Sequence, residues 1–521
     1  MSKVLIINPV IRQETSPRHV PYGLALLAAI AIRAGHQVQV YDHNGWRPGD
    51  DVLQEIMQAD DWDVIAAGGM TTAYNSLKTI FKAAKAYAPK SLTLLGGGVL
   101  TSMPFDMMAF LPEVDMGVIG EGFITFPEIL DAIDSKATNF DAVDGMILRR
   151  GSDCYLTKSR ALLQDLDSLP YPAWELFPLE EIYFPNSAVA LSEETLTATR
   201  RLDVNTSYGC SLVCRYCFHL GIAGDMTYVT DANGKTDVQF DLPGSHTRTI
   251  RYHSPRYIVD MIHYMVDRFQ VNFVAFLDEN LMTMDQYSKR TWLNEICDLW
   301  IKEGLQPECR KKGVLHDETC TTGVHWGGTS HATLCTQEIL KKMGEAGCSY
   351  LDYGWESFSP RILKSVGKGA TPQNNIRSYN WTMSAGIRPI PNQMMGFPGE
   401  DFESLYESMR AWERLGIVTK PFFVTPYPGC EWYTVYKDKI LEIYDGSLER
   451  FISDLGDATD ISATISENFN PVELYGLREL MIRGDFTRMK KFEQEWRRLK
   501  GDPQDGVIRA ETRDRAPHKK A

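Results

Sequence analysis

The sequence predicts an α/β protein: a doubly wound parallel sheet leads through a connector into an open partial barrel of six β/α units and a helical C-terminal region. Short β-rich runs alternate with amphipathic stretches over residues 1–135, and the alternation breaks at a proline-rich stretch. It then resumes near residue 200 and gives way to helical periodicity after residue 428. The expected units are residues 1–140, a connector 141–195, the partial barrel 196–430, a helical region 431–500 and a disordered tail 501–521.

In the first unit, strands are expected at 4–8, 37–41, 63–67, 92–95 and 115–119, with helical patterns at 22–34, 52–58, 74–88, 105–111 and 126–133. Five such units put a ligand crevice beyond the carboxyl ends of the strands. Glycine falls at those ends: Gly68 and Gly69 after the third strand, Gly96, Gly97 and Gly98 after the fourth, Gly120, Glu121 and Gly122 after the fifth. Such turns let a large ligand approach the backbone, although ordinary tight βα turns use the same residue. The stretch LPYPAWELFP marks the connector as a surface wrap. Barrel strands are expected at 203–207, 272–277, 323–326, 349–353, 388–395 and 421–425, with function on the carboxyl-end loops. Residues 227–249 are polar and turn-rich, interrupt the first βα connection, and read as an inserted hairpin or lid. The charged, apolar-poor end beyond 500 reads as the tail.

Composition excludes several classes. With 44% apolar and 23% charged residues, the 521-residue chain is expected to fold around sizeable cores. Its 54 Lys and Arg against 68 Asp and Glu leave a net charge of −14, which disfavours nucleic acid and anionic lipid surfaces. The longest apolar runs, as in YGLALLAAIAIRAG, fall short of the roughly 20 residues a membrane helix needs, so no membrane span is expected. The N-terminal segment lacks a secretory pattern, which makes the cytoplasm the expected compartment. Ten cysteines are too few for a disulfide scaffold, and three of them are clustered.

Those three, Cys210, Cys214 and Cys217 in YGCSLVCRYCF, have the spacing Cys-x-x-x-Cys-x-x-Cys just after a strand. Three thiolates on one loop can bind three corners of a 4Fe-4S cluster and leave one iron open. Zinc is the alternative, with His219 as a fourth ligand, although structural zinc favours paired Cys-x-x-Cys units.

These residues resemble the radical S-adenosylmethionine (radical SAM) superfamily, and the resemblance spans residues 203–429. It implies that the three cysteines carry a 4Fe-4S cluster whose open iron chelates SAM, and that Tyr216 lies near the adenine with Phe218 in the same set. Further motifs stand in the family's order. FLDEN, with Asp278 and Glu279, and YGWES, with Glu356 and Ser357, resemble its polar SAM contacts. MMGFPGED, with Gly396, Pro398 and Gly399, resembles the turn beside the adenine. TPYPGCEWY resembles a Pro-x-Pro-Gly-Thr ending in which Cys430 replaces threonine. Cys430 and Tyr427 of that loop are the candidate catalytic residues, the thiol as a hydrogen-atom donor or cobalamin contact.

The stretches PYGLALLAAIAIRAGHQVQVYD, LLGGGVLTSMP and VIGEGFITFPEIL resemble the Rossmann-like cobalamin-binding domain that precedes the barrel in one large radical SAM class. That resemblance implies that Gly96, Gly97, Gly98, Gly120, Glu121 and Gly122 line the nucleotide tail or corrin edge. The Asp-x-His-x-x-Gly signature of an axial histidine is absent; His19 is the histidine in the loop after the first strand, either an axial ligand or a solvated side chain. Cys309, Cys320, Cys335 and Cys348, with His316, His325 and His331, lack paired ligand spacing and read as core thiols and solvated loop residues, with a second metal site as the alternative. Tyr353 and Trp355 read as aromatic core.

The resemblance implies cleavage of SAM to a 5′-deoxyadenosyl radical and cobalamin-dependent methylation of an unactivated carbon of a small metabolite or lipid. The same radical start can end in cyclisation or rearrangement, as in the anaerobic porphyrin-ring cyclase, and a non-catalytic iron-sulfur or cobalamin sensor is a third reading. Methylthiolation of transfer RNA is disfavoured by the acidic balance. The implied partners are a small-molecule or lipid-like substrate and an electron donor such as flavodoxin or ferredoxin. Substrate identity and oligomeric state have no readable code.

Overall fold

The computed structural model describes residues 1–12, 15–49, 51–187, 199–217, 226–230, 236–240, 250–314 and 320–500. The first sheet contains β1 Lys3–Asn8, β2 Gln37–Asp42, β3 Val64–Gly68, β4 Leu92–Gly96, β5 Met116–Val118, β6 Met146–Arg150 and β7 Asp153–Leu156, in the order β2-β1-β3-β4-β5-β6-β7. Strands β1 to β5 run parallel. β1 lies between β2 and β3, so the strand order reverses there and a crevice opens beyond its carboxyl end. The buried runs of β1 and β3 are covered on both faces, as a parallel sheet requires; the helices Tyr22–Arg33 and Tyr74–Tyr87 belong to the two different covering layers.

The connector departs from expectation. β6 and β7 form an antiparallel hairpin that extends the first sheet beside β5. Strands of five and four residues around the Gly151 turn (φ +63°) carry too little periodicity to be read. Further on, Trp174, Phe177 and Tyr183 are buried in the core shared with the second sheet, so this stretch joins the two units rather than wrapping the surface.

The second sheet takes β8 Arg201–Val204, β13 Phe273–Phe276, β14 His325–Ser330, β15 Cys348–Glu356, β16 Arg388–Met395 and β17 Phe422–Phe423 in sequential order, all parallel, as an open half-barrel. Between β8 and β13, β9 Ser207–Tyr208 pairs with β12 Arg251–Tyr252. The expected insertion contains a hairpin of β10 Met226–Thr230 and β11 Thr236–Phe240; its remaining residues lie outside the described ones. Side chains alternate across the strands. Phe273, Ala275 and Tyr350, with Ile390, form a small apolar floor on one face, and Trp326, Tyr353 and Trp355 enter the large core on the other. Tyr353 and Trp355 stack at 5.6 Å, as aromatic core should.

Five C-terminal helices follow: Glu431–Val435, Lys437–Ile443, Leu448–Asp454, Pro471–Ile482 and Phe486–Lys500. Glu449 docks this region on the first unit, accepting from Tyr74 Oη at 2.6 Å and pairing with Lys78 Nζ at 2.5 Å. The tail 501–521 lies outside the described residues, and no described helix is long and apolar enough to cross a membrane.

Candidate active site at the carboxyl rim of the barrel

The cysteine loop is fixed at its start by a buried acid. Asp278, beyond β13, accepts from Thr206 Oγ1 at 2.9 Å and from Ser207 Oγ, clamping the end of β8 to its neighbour. Burial pushes its carboxyl up to about 6, and the two hydroxyls act against that rise. Gly209 (φ +100°) then turns the chain into the loop. Cys210 and Cys214 are buried and Cys217 is half-buried, and none of the three is in a disulfide. Cys217 N donates to Cys214 O at 3.0 Å, Arg215 N to Val366 O at 3.0 Å, and Trp432 N to Arg215 O at 3.2 Å. The loop therefore rests on the turn after the helix Pro360–Val366 and on the helix following β17. Burial pushes the Cys210 thiol up to about 11, so metal binding must displace its proton. Phe218 and His219 lie outside the described residues.

Beside these thiols lies a buried ion pair. Glu356 ends β15 at φ +59°, just after a register irregularity at Gly354. Its Oε1 accepts from Lys368 Nζ at 2.5 Å and from Tyr216 Oη at 2.5 Å, while Lys368 Nζ reaches Tyr216 Oη at 3.2 Å. Burial acts to lower the Lys368 ammonium, but Glu356 and the Cys214 and Cys217 sulfurs outweigh it and hold the group above its ordinary range. A Cβ on Gly354 would collide with both charged groups, so a larger residue there requires the ion pair to shift. Lys368 was not singled out from the sequence; its local context, SVGKGAT, carries no motif.

Other expected contacts divide. Glu279 retains open surface although protein surrounds it, as a side chain lining a recess does; burial, and then Asp278, push its carboxyl up to about 7. Gly396 (φ +86°) and Gly399 (φ +72°), with half-buried Pro398 between them, form the turn after β16. Buried Glu400 holds that turn by accepting from Gly396 N at 2.6 Å, and burial pushes its carboxyl up to about 8. Ser357 faces the helix layer instead, accepting from Ser359 N at 3.0 Å and meeting Ser408 Oγ at 3.3 Å. Cys430 is 2% exposed in a core with Phe397, Val424 and Trp432. Its Sγ accepts from Tyr433 N at 3.4 Å and caps the helix Glu431–Val435, and burial pushes the thiol up to about 12. Tyr427 Oη is engaged too, donating to Gly456 O at 2.9 Å. Both candidate catalytic groups thus already have a hydrogen-bond partner in the C-terminal region.

On the first sheet's rim, a Cβ on Gly68 would lie 2.5 Å from Gly96 O and one on Gly97 (φ +84°) 2.7 Å from Gly69 O, so the turns after β3 and β4 abut through bare backbone. A Cβ on Gly96 would meet nothing within 4 Å. Backbone opening onto free space there fits the cradle a bulky cofactor needs. Gly98 is buried at the start of a short helix, Gly120 N donates to Thr101 Oγ1 at 3.0 Å, and Gly122 packs against Leu27. Glu121 instead clamps the two units through a two-pronged contact with buried Arg251, so its carboxylate is already engaged. His19 also crosses between the units: its Nδ1 lies 2.6 Å from Asp203, which pairs with Arg201 at 2.7 Å. Burial acts to raise the Asp203 carboxyl, and Arg201 and His19 together hold it below its ordinary range. Only Nε2 of His19 remains for a further ligand.

Residues 9–130 match the B12 binding domain family and residues 204–411 match the Radical SAM superfamily. The chain is a B12-binding radical SAM protein. The cofactors of its two domains are cobalamin, a 4Fe-4S cluster and S-adenosylmethionine. This radical SAM protein is 25% identical to an uncharacterized methyltransferase of Pyrococcus horikoshii, over 82% of the chain and 81% of the relative. It is 22% identical to the anaerobic magnesium-protoporphyrin IX monomethyl ester cyclase of Rubrivivax gelatinosus, over 85% and 71%. The radical S-adenosylmethionine methyltransferase TsrM from Kitasatospora setae, solved with cobalamin and 4Fe-4S cluster bound, shares the fold at a TM-score of 0.62 and 15% identity, over 85% of this chain and 76% of that one. The enzyme belongs to the cobalamin-dependent radical SAM methylase group, among whose relatives cyclases also occur.

Proposed function

We propose that this enzyme methylates an unactivated carbon of a small metabolite or lipid. The observation that carries the proposal is the gathering of three cysteines on one loop beside the buried Lys368–Glu356 pair, in a chain whose other sheet ends in bare glycine turns. When bound, the cofactors supply a 5′-deoxyadenosyl radical and a transferable methyl group.

The residues of the chain hold, orient and exclude. Cys210, Cys214 and Cys217 are the proposed iron ligands, and the Lys368 ammonium offsets the negative charge that three thiolates bring to a buried place. Glu279 and the backbone of Gly396 to Gly399 are proposed to contact SAM, with Tyr216 and Glu356 shaping that edge of the site. Asp278 positions the loop through Thr206 and Ser207 rather than touching a ligand. Gly96 and Gly97 are the proposed cobalamin cradle. Exposed Leu277, at 42%, adds an apolar surface beside Glu279 for the carbon to be modified. Flavodoxin or ferredoxin is the proposed electron donor, and the cytoplasm the proposed compartment.

Anaerobic incubation with SAM, methylcobalamin, reductant and candidate metabolites, read by mass spectrometry, tests this. The expected products are 5′-deoxyadenosine, S-adenosylhomocysteine and a substrate heavier by one CH2. 5′-Deoxyadenosine with a rearranged substrate and no S-adenosylhomocysteine would establish the cyclase-type outcome instead.

A further inference from the structure

A second group of sulfur ligands sits at the opposite, amino-terminal end of the barrel sheet. Cys309 lies in the short helix Glu308–Lys311, Cys320 in the loop that follows, and His325 at the first position of β14. Their two Sγ atoms and one imidazole nitrogen all lie within 4.8 Å of one another. The three residues are 4%, 9% and 4% exposed, and the radical chemistry uses none of them.

The fold makes this cluster from residues whose spacing conceals it. Gly323 (φ +77°), whose Cβ would sit 2.7 Å from Gln306 O, reverses the chain so that Val324 N donates to Leu305 O at 2.8 Å and Glu308 N to Thr322 O at 3.2 Å. That reversal lays Cys320 over Cys309, whose backbone N donates to Cys320 Sγ at 3.4 Å. His325 Nε2 donates to Cys320 O at 3.1 Å, which leaves the lone pair on Nδ1, 2.9 Å from Ser349 Oγ, for a metal to take in place of that hydroxyl. Orientation of one ring nitrogen by an outer hydrogen bond is how metal-binding histidines are usually set. Zinc bond lengths put tetrahedral S and N ligands roughly 3.5–3.8 Å apart, so an inward shift of about 1 Å completes the geometry.

We propose that Cys309, Cys320 and His325 bind one divalent zinc-type cation that ties the helix Glu308–Lys311 to the start of β14 beneath the barrel. Two thiolates and an imidazole select zinc over magnesium or calcium. Each thiol releases its proton to solvent as its sulfur binds, neutral imidazole donates a lone pair, a water fills the fourth position, and no oxidation state changes. The site is independent of the carbon that the enzyme modifies.

The test is metal analysis of anaerobically purified, cluster-reconstituted holoenzyme after dialysis against a chelator. About one zinc per chain beyond the cluster iron is expected, and the Cys309→Ser/Cys320→Ser variant is expected to lose it while keeping that iron. In a Cys210→Ala/Cys214→Ala/Cys217→Ala chain, added cobalt(II) is expected to give thiolate-to-metal charge-transfer absorption. This reads the ligands directly even if the double serine variant does not fold. His325→Gln in that chain is expected to weaken cobalt binding at least tenfold. Zinc-free holoenzyme, zinc retained by the double variant, absence of the cobalt signal, or a Cys309–Cys320 disulfide in the anaerobic protein would overturn the proposal.

Discussion

At the carboxyl rim of the barrel, three cysteines fall within eight consecutive residues; at its amino-terminal edge, Cys309, Cys320 and His325 come from a helix, a loop and a strand. The rim ligands are adjacent in sequence, but their placement depends on distant groups, Asp278 below the loop and Lys368 beside it. The edge ligands meet only through the tertiary fold. Spacing therefore reveals what a loop can bind, while charge burial around it reveals how the loop is held. Each variant below breaks or sharpens that contrast.

The largest effect belongs to Cys214→Ala, which is expected to abolish 5′-deoxyadenosine formation in anaerobic assays while the fold persists. Normal SAM cleavage in that variant would strip the rim of its role. Next is Lys368→Met, which leaves Glu356 buried without its cation and is expected to cost about 3–5 kcal/mol in urea unfolding. Adding Glu356→Leu is expected to recover most of that loss, and a loss below about 1 kcal/mol in the single variant would show the pair to be solvated.

Glu400 gives a pH signature. Its folded carboxyl is raised from 4.5 to about 8, so between those values the folded chain holds a proton that the unfolded chain has released. Stability should then fall as pH rises through that window and level off above it. Glu400→Gln is expected to flatten the profile of urea midpoint against pH; a wild-type profile already flat there would refute the assignment.

Two adjacent glycines separate backbone need from ligand access. Gly97→Ala, forced to positive φ against Gly69, is expected to cost about 1–3 kcal/mol. Gly96→Ala should leave the melting temperature intact and weaken cobalamin uptake, measured by absorbance after gel filtration. The smallest effect is expected at Cys430→Ala, about 1 kcal/mol from the lost helix cap. Loss of methylation at unchanged stability would instead return Cys430 to the reacting groups.

These contrasts explain what was legible in the sequence. Strand alternation, glycine turns and the Cys210–Cys214–Cys217 spacing are local, and the structure places the parallel strands of both sheets within a few residues of expectation. Lys368, the Arg251–Glu121 clamp and the His19–Asp203 contact join residues 12, 130 and 184 positions apart, and pattern does not record such pairs. The surroundings of Cys430 are not legible for a related reason. Its motif fixes its position along the chain, but the direction of its sulfur is decided by Tyr433 and the helix that closes over it.

Glu356 occupies a left-handed backbone position that glycine would adopt at no steric cost, whereas an L-residue with a side chain gives up on the order of 1 kcal/mol. Replacement by glycine would relax the chain and strand the Lys368 ammonium without a counter-ion. The buried pair, at about 3–5 kcal/mol, outweighs that backbone cost, so robustness and a working rim both hold glutamate at this one position. Selection for thermal tolerance alone would therefore be expected to leave the end of β15 unchanged, although it carries a strained backbone.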